Sequence, residues 1–465
     1  MSGDISRTAR RLAHRGPQQW IAAGAGLAGL LLVSACSGGG GGAAAAPRAA
    51  AHQPATTVTI TSGNVTFSSA AGAAGPTVHA AGSARSATQL DTRPDLGVQV
   101  TAQHGTLTAV TVRNAAGQPL PGSYGGGSGS WRTTWALAPA QAYQVTATAV
   151  NSKHRQTVIN ATFRTFRPVH SIIASTTMIP HQTYGVGMPI MISFSRPVQD
   201  RAAVERSLEI TSSKPVAGAW YWMNRETVWF RPRQYWPAHT RVRFTAHLAG
   251  VQVAPGVYGR ADLSQAFRIG NSLIVVANTA THYMKVWWKG RPIGNWPIST
   301  GRPGMDTANG RYLSFAMANP VDMNSATIGI PPGSPGYYNE LVYDAVQFTD
   351  SGTYIHSAPW SVGEQGIVNV SHGCVNVGPA NAVWYYAHSM LGDPISVVGS
   401  PLPGTWNNGW TIYFLGWHKL LAGSATGDAV LASASGSRFV PASSLPSPTK
   451  TGSASPVQIT RLAPN

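Results

Sequence analysis

The sequence predicts an all-β protein built from several sandwich-like units, and three observations support this fold class. The 465 residues are enough for about three domains of ordinary size. Glycine and proline are frequent, with 51 and 33 residues, and long helical periodicities are scarce. Short runs with apolar residues at every second position recur instead, as in 143–149, 242–246 and 274–276. This alternation is typical of half-buried strands.

Shifts in composition divide the chain into segments. Each of the first two β modules has the size of an immunoglobulin-like sandwich, although neither has the paired cysteines of antibody domains. We predict an export signal in 1–35, a modified cysteine with a flexible tether in 36–54, immunoglobulin-like modules in 55–168 and 169–269, a third β unit in 270–403, an aromatic subdomain in 404–425 and a disordered tail in 426–465.

The third unit carries more specific signals. Strands are predicted near 273–277 and 284–288. The dipeptide Asn309-Gly310 predicts a hairpin turn. A short helix is predicted over 380–390, where Gly392 and Pro394 would end it.

The N-terminus has the features of a secretory signal. Four arginines precede an apolar run over 20–33, which is shorter than the ~20 residues that a spanning helix needs. The run ends in Leu-Val-Ser-Ala-Cys, which resembles a bacterial lipobox. We therefore expect cleavage before Cys36 and a lipid on its sulfur, although a buried or metal-binding Cys36 is the simpler alternative. A lipid would anchor the exported chain to the outer face of the cytoplasmic membrane.

The charge indicates anionic partners. Lys and Arg number 33 against 16 acidic residues, for a formal net charge of +17. Anionic wall polymers or lipid head groups fit an exported protein, and charge alone does not choose between them. No basic run is interleaved with aromatic residues, so nucleic acid is not a predicted partner.

Cys374 carries the strongest chemical signal. It is the only cysteine besides Cys36, so lipidation of Cys36 would leave an unpaired thiol outside the cell. A cysteine nucleophile needs a base, for which His356 is the candidate. Gly373 would let backbone N–H groups approach as an oxyanion hole. A buried structural cysteine is the simpler alternative.

A metal site formed by His356, His372 and Cys374 is disfavoured. The set lacks a fourth ligand at an ordinary spacing, and the sequence has no Cys-x-x-Cys or His-Glu-x-x-His element. We therefore predict no metal and no cofactor.

The spacing of these residues resembles a known signature. His356, followed after 14 residues by Ser371-His372-Gly373-Cys374-Val375-Asn376, is similar to the motif of L,D-transpeptidase catalytic domains. Segments 184–189, 307–310 and 356–362 also resemble lipid-anchored cell-wall enzymes of high-GC Gram-positive bacteria. Those enzymes have two immunoglobulin-like modules before a catalytic β-sandwich. The resemblance covers roughly 170–425, whereas over 55–168 only the architecture agrees.

The resemblance implies a reaction. Cys374 would attack the diaminopimelate carbonyl at position 3 of a tetrapeptide stem and expel D-Ala. The side-chain amine of a second diaminopimelate would then accept the acyl group, which gives a 3→3 peptidoglycan cross-link. The family uses no cofactor, and carbapenems acylate its cysteine.

The resemblance also implies roles for individual residues. His356 would take the thiol proton and the Ser357 carbonyl would orient its ring, while His372 would support the site. The N–H groups of Gly373 and Cys374, with the Tyr338 hydroxyl, would form the oxyanion hole. Substrate contacts are implied for Met323, Tyr338, Trp360, Ser371 and Asn376.

Simpler readings of several of these residues stay open. Ser371 and Asn376 can equally brace the loop, and Met323 and Trp360 can be core packing. Where the family often has an aromatic lid residue after Met323, this chain has Ile328, followed by a stiff Pro-Gly segment over 331–336. This difference bears on donor preference and lid opening.

Three other functions compete with this interpretation. An L,D-carboxypeptidase would use the same thioester with water as acceptor. A wall-binding scaffold would have an inactive third unit, and a general cysteine protease would need an Asn or Asp partner that is not visible at a familiar spacing. If His356 is the base, acylation is expected to fall as the pH drops through about 6.5.

Overall fold

The computed structural model describes residues 55–70, 77–80 and 91–446. The predicted signal, Cys36 and the tether lie outside this part of the chain. No helix within these ranges has both the length and the apolar character needed to cross a bilayer.

The first module is a two-sheet sandwich. One sheet has the strand order β3-β2-β1-β5-β8-β7, and the other has the order β4-β10-β9-β6. Alternate apolar residues of both sheets, such as Ile60, Val100 and Val145, form one core between them. The strands are β1 Thr57–Ser62, β2 Val65–Ala70, β3 Thr77–Ala80, β4 Asp91–Thr92, β5 Val98–Gln103, β6 Thr106–Asn114, β7 Gly122–Tyr124, β8 Ser130–Thr133, β9 Ala142–Val150 and β10 Gln156–Thr165.

The second module has one large sheet and a small one, formed by β11, β20 and β19. Its single short helix, α1 (Arg201–Arg206), begins at Asp200, whose carboxylate accepts the Ala203 N–H. The strands are β11 His170–Ile172, β12 Ala174–Ser175, β13 Thr183–Tyr184, β14 Ile190–Phe194, β15 Leu208–Ser212, β16 Val216–Trp222, β17 Thr227–Pro232, β18 Arg241–Ala246, β19 Gln252–Ala254, β20 Val257–Gly259 and β21 Leu263–Ile269.

The third unit is built on a ten-stranded sheet with the order β25-β31-β22-β23-β24-β30-β29-β28-β26, and β27 pairs with β28 outside this path. Helix α2 (Pro379–His388) contributes the buried Ala382 and Tyr385 to the core. The strands are β22 Leu273–Asn278, β23 Tyr283–Trp288, β24 Arg291–Ser299, β25 Gly310–Leu313, β26 Ala316–Ala318, β27 Val321–Asn324, β28 Asn339–Gln347, β29 Tyr354–Ser357, β30 Val375–Val377 and β31 Pro394–Val398.

The prediction of a hairpin turn at Asn309-Gly310 is wrong. Strand β25 begins at Gly310 and pairs with β31, not with β24. The Asn309 side chain instead bridges to the backbone of Ser400, accepting its N–H and donating to its carbonyl. A Cβ on Gly310 would lie 2.3 Å from the Phe414 ring, so close packing accounts for the glycine.

The second module and the third unit meet at a glycine-dependent joint. The Gly185 N–H donates to the Leu391 carbonyl, and the Gly187 N–H donates to the Gly392 carbonyl. A Cβ on Gly185 would lie 2.4 Å from the Asp393 backbone nitrogen, and one on Gly187 would lie 2.4 Å from the Leu313 side chain. Only glycine permits this approach of the two backbones.

The predicted disordered tail is wrong for residues up to 446. Strands β32 (Ala429–Ser433) and β33 (Gly436–Val440) form a hairpin. β32 pairs with both β15 and β16, so it lies inside the large sheet of the second module. Low-complexity composition suggested disorder, but Val430 and Ala432 are buried on the core side of the sheet. Residues 447–465 lie outside the described part.

Two buried charges hold the segment that leads to this hairpin. The fully buried Glu205 carboxylate accepts hydrogen bonds from the Trp222 indole and from backbone and hydroxyl groups of residues 424–426. Arg231 donates to the Leu415 carbonyl at 2.7 Å and stacks over the Tyr413 ring. The aromatic segment over 404–425 includes the short helix α3 (Trp417–Ala422) and packs against the second module.

A pair of truncations tests the role of β32. Ending the chain after Gly427 removes β32 and β33, which splits the large sheet between β15 and β16 and leaves one edge of each strand without a partner. We expect a fall in the melting temperature of at least about 10 °C or aggregation, measured by circular dichroism and limited proteolysis. Ending the chain after Pro446 is the control and should change neither the melting temperature nor the resistance to proteolysis. Equal stability of the two truncated chains would contradict the arrangement.

Candidate active site

The residues singled out in the third unit come together around one cavity of about 160 Å³. The β27–β28 hairpin forms one wall, β29 forms a second, and the loop that leads into β30 forms a third. The predicted residues that line it are Met323, Tyr338, His356, Trp360, Ser371, His372, Cys374 and Asn376; three further lining residues, Glu340, Val342 and Val370, were not predicted.

His356 is held as a neutral base. It lies on β29 and is only 3% exposed. Its Nδ1 is 3.0 Å from the Ser357 carbonyl oxygen, which is the contact expected from the sequence. A carbonyl can only accept, so Nδ1 carries the hydrogen and Nε2 keeps its lone pair. Burial lowers the pKa of His356 below its ordinary value, so the ring is uncharged near neutral pH.

Cys374 reaches the same wall through strand pairing. β29 and β30 run parallel with His356 opposite Asn376, and Cys374 lies two residues before Asn376. Cys374 stands in the bend just before β30, and it lines the same cavity as His356 and Asn376. The sulfur is 3.7 Å from the Gly352 carbonyl oxygen. Burial raises the pKa of the thiol to about 11.

The resting pair is therefore a neutral thiol beside a neutral imidazole. Both shifts have the same physical cause, because a poorly solvated site disfavours thiolate and imidazolium alike. The thiolate must then form during the reaction, with the proton passing to Nε2 of His356 as the sulfur attacks.

Hydrogen bonds from both sides fix the backbone of the Cys374 loop. The Ser371 hydroxyl donates to the Cys374 carbonyl at 2.7 Å and accepts the Gly373 N–H at 3.1 Å. From across the loop, the buried Thr307 hydroxyl donates to the Gly373 carbonyl at 2.7 Å. Gly373 has a φ of 127°, which a residue with a Cβ rarely adopts. A Cβ there would touch nothing closer than 3.7 Å, so conformation rather than close approach requires the glycine.

The predicted oxyanion hole needs a correction. Because the Gly373 N–H is bonded to Ser371, it is not free to stabilise an oxyanion in this state. Of the predicted pair of backbone donors, the Cys374 N–H remains. Tyr338 stays a candidate donor because it lines the cavity, and burial, followed by the nearby Cys374 and Glu340, raises its pKa so that it keeps its hydrogen.

His372 lies between Arg302 and Tyr338. The Arg302 guanidinium is 3.4 Å from Nδ1 of His372, and the Tyr338 ring centroid is 4.7 Å from the His372 ring. Burial, followed by the Arg302 charge, lowers the pKa of His372. A guanidinium only donates, so Nδ1 accepts and Nε2 carries the hydrogen. The Gly336 backbone lies against this ring and partly opposes the lowering of its pKa.

The remaining predicted contacts divide into two groups. Trp360 is 52% exposed and lies beside the His356 ring, and Met323 is partly exposed, so both are accessible to a substrate. Ser371 uses its only hydrogen within the loop, which supports the bracing role, and its substrate contact stays a prediction. The Asn376 amide donates to the Ser361 hydroxyl at 3.0 Å, and its substrate contact stays a prediction.

Several residues that shape the site were not predicted. Asn369 ties the loop to Thr300, just after β24, and to Thr279. Its side chain accepts hydrogen bonds from the Thr300 N–H and hydroxyl and donates one to the Thr279 carbonyl. Thr307 and Arg302 brace the loop as described, and Glu340 lines the cavity. Of these residues, only Asn369 could have been found from the motif, because it stands two residues before Ser371. Thr307, Arg302 and Glu340 are distant from the motif in sequence.

The described residues contain no group of three or more His, Cys, Asp or Glu side chains placed to hold a metal ion.

Comparisons with known proteins agree with the sequence motif. A model of the L,D-transpeptidase catalytic domain matches residues 272–397, and a bacterial Ig domain model matches residues 89–252. These matches confirm the predicted resemblance. They also confirm the predicted all-β fold class, with an immunoglobulin-like part and a catalytic β-sandwich.

Three relatives illustrate the similarity. L,D-transpeptidase 2 of Mycobacterium tuberculosis is 36% identical over 334 residues, which are 71% of this chain and 81% of the relative. L,D-transpeptidase 1 of the same organism is 40% identical over 227 residues, which are 49% of this chain and 85% of that relative. A solved L,D-transpeptidase in complex with imipenem is 39% identical, with a TM-score of 0.42, and covers 50% of this chain and 100% of its own.

The neutral resting pair predicts a characteristic pH dependence. Acylation needs uncharged His356, whose pKa is lowered by burial, so the midpoint of the fall in rate toward acid should lie below pH 6.5. Alkylation by iodoacetamide needs the thiolate, so its rate should rise with pH toward about 11. Stopped-flow acylation and mass-spectrometric alkylation measure the two profiles, with Cys374→Ala as control. An alkylation rate that is constant from pH 7 to 9 would indicate a preformed thiolate instead.

Proposed function

The chain belongs to the L,D-transpeptidase family, and from this premise we propose that it forms 3→3 cross-links between peptidoglycan stems. Membership makes it an acyltransferase that cross-links peptidoglycan by transpeptidation. The finer proposal concerns the donor, a tetrapeptide stem that loses D-Ala, and the acceptor, the side-chain amine of a second diaminopimelate.

One observation carries the proposal. A lone thiol and an uncharged imidazole with a free Nε2 line the same small cavity, and no carboxylate orients the imidazole. The Ser357 carbonyl does so instead, which leaves a base that is neutral and weakly basic. Such a pair suits acyl transfer through a thioester, where the base takes a proton from sulfur and returns it to an amine.

In the first half-reaction, Sγ of Cys374 bonds to the diaminopimelate carbonyl carbon. The thiol proton passes to Nε2 of His356, and the Cys374 N–H stabilises the oxyanion. The C–N bond to D-Ala then breaks, and its nitrogen takes the proton from His356. The thioester and neutral His356 remain.

In the second half-reaction, the acceptor nitrogen attacks the thioester carbonyl. The new C–N bond forms, the C–S bond breaks, and a proton from the nitrogen passes through His356 to the sulfur. Water in place of the amine would give the carboxypeptidase reaction, which is the alternative product of the same intermediate.

β-Lactams are proposed as acylating inhibitors of Cys374. Their strained amide carbonyl presents the same target to the sulfur as the stem does, and a relative has been solved in complex with imipenem. Acylation opens the lactam ring without releasing a leaving group, so the acyl chain stays in the cavity.

The N-terminal features motivate a second proposal, that Cys36 carries a lipid and anchors the chain to the outer face of the cytoplasmic membrane. The two sandwich modules would then act as a spacer that lifts the third unit toward the wall. Support comes from the lipobox-like sequence and the Gly-rich segment that follows it.

A product assay tests the cross-linking proposal. Full-length protein is incubated with a disaccharide-tetrapeptide, and the products are identified by mass spectrometry. We expect a dimer that has lost one D-Ala, and no dimer with Cys374→Ala, which removes the nucleophile and lowers turnover at least 10³-fold. A tripeptide product alone would favour the carboxypeptidase, and an unchanged stem would contradict both.

Lipidation is tested by metabolic labelling with an alkynyl fatty acid in a high-GC Gram-positive host. The two cysteines provide a matched pair, since Cys36→Ser should abolish the label and release the protein from membranes, whereas Cys374→Ser should retain both. Label that persists in Cys36→Ser would overturn the proposed anchor.

A further inference from the structure

Glu340 is the one formally charged side chain among the described residues that line the active-site cavity. The other titratable lining groups are uncharged near neutral pH, because burial lowers the pKa values of His356 and His372 and raises those of Cys374 and Tyr338. A single negative charge therefore lies on the cavity wall itself, while the Arg302 guanidinium lies 3.4 Å from Nδ1 of His372 and does not line the cavity.

The hairpin geometry directs Glu340 toward the reacting groups. Glu340 and Val342 are two residues apart on β28 and both line the cavity. Met323, opposite Glu340 on β27, lines it as well. The next cross-strand pair, Asp322 and Leu341, is exposed on the other face.

The Glu340 carboxylate has no ion-pair or hydrogen-bond partner within the part of the chain that the structure describes, and it is exposed. Its charge nevertheless reaches the site, since Glu340 contributes to the raised pKa of Tyr338. A solvated carboxylate at the cavity wall is thus available to a ligand without breaking an internal contact.

We propose that Glu340 binds the ammonium group of the acceptor and holds it beside the thioester. The inference rests on the proposed transpeptidation and assigns a residue to its second substrate. A primary amine is largely protonated near neutral pH, so the acceptor arrives as a cation, and its attraction to Glu340 is a charge-assisted contact. Water, the competing acceptor, gains nothing from this charge.

The proton balance follows from the charged form. The ammonium group brings three hydrogens to Glu340. One proton leaves to solvent, which frees the lone pair for attack on the thioester carbonyl. As the C–N bond forms and the C–S bond breaks, a second proton passes through His356 to the sulfur, and the third stays on the new amide. Glu340 positions the nitrogen and neither gives nor takes a proton in these steps.

The test compares Glu340→Gln with Asp322→Asn in the full-length protein. Both variants remove one negative charge from the same hairpin, but only Glu340 faces the cavity. For Glu340→Gln we expect the KM for the acceptor stem to rise about three- to tenfold. The ratio of dimer to hydrolysed tripeptide should fall by a similar factor, while acylation by the donor, which is itself an anion, is not slowed. Asp322→Asn should match the wild type in the KM for the acceptor, the product ratio and the rate of acylation by the donor.

A neutral nucleophile and an anionic probe sharpen the test. Hydroxylamine, which is largely uncharged near neutral pH, should release the thioester at the same rate from wild type and Glu340→Gln. A β-lactam with one carboxylate and no cation should acylate Glu340→Gln faster, because a repelling charge is gone. The substitution should thus weaken the reaction with the acceptor stem and speed acylation by the β-lactam. A structural defect would not produce these opposite effects.

Distinct outcomes separate this inference from the function on which it rests. A wild-type protein that makes no dimer would remove the transpeptidase proposal itself. A wild type that makes dimer, together with an unchanged product ratio in Glu340→Gln, would overturn the acceptor role alone. A raised KM for the donor with an unchanged ratio would do the same, because Glu340 would then bind the first stem.

Discussion

Strand β32 is the constraint on which the described architecture depends. It comes from the C-terminal end of the described chain, yet it lies between β15 and β16 inside the large sheet of the second module. The second module therefore has no complete core without residues that follow the third unit. Glu205 and Arg231 fix the same connection, because each buried charge takes part of its hydrogen bonds from groups in 415–426. The aromatic segment, the second module and the third unit are consequently one interdependent body.

The active site depends on a second set of internal contacts, most of them between backbone and side chain. Asn369, Ser371 and Thr307 each use a short polar group to hold the loop that presents Cys374. Short side chains lose little conformational entropy when fixed, so the loop is ordered before a substrate arrives. Such preorganisation suits a reaction in which one N–H of the loop meets the developing oxyanion. The exposed side of the cavity, with Trp360 and Met323, is left to the substrate.

Sequence patterns predicted the features that depend on residues close together in the chain and missed those that depend on residues far apart. Alternation located β22 and β23 closely, and the spacing of His356 and Cys374 identified the groups that meet in the cavity. The β32 hairpin was missed because 426–433 is short, Ser- and Ala-rich, and paired with strands about 200 residues away. The Ser371 bond that occupies the Gly373 N–H, and the direction of each pKa shift, depend on loop geometry and burial. Glu340 gave no signal, because a lone acid near a turn is ordinarily a solvated surface residue.

The protonated thiol has a consequence for chemical durability. Oxidants and disulfides react with thiolate far faster than with thiol. With a pKa of about 11, roughly one Cys374 in 10⁴ is ionised at pH 7, against a few per cent for an unperturbed cysteine. Burial thus slows adventitious oxidation of the resting thiol, and a neighbouring cysteine that could trap a sulfenic acid is absent from the described chain. A nucleophile that ionises only when substrate and base meet it is spared such side reactions between turnovers.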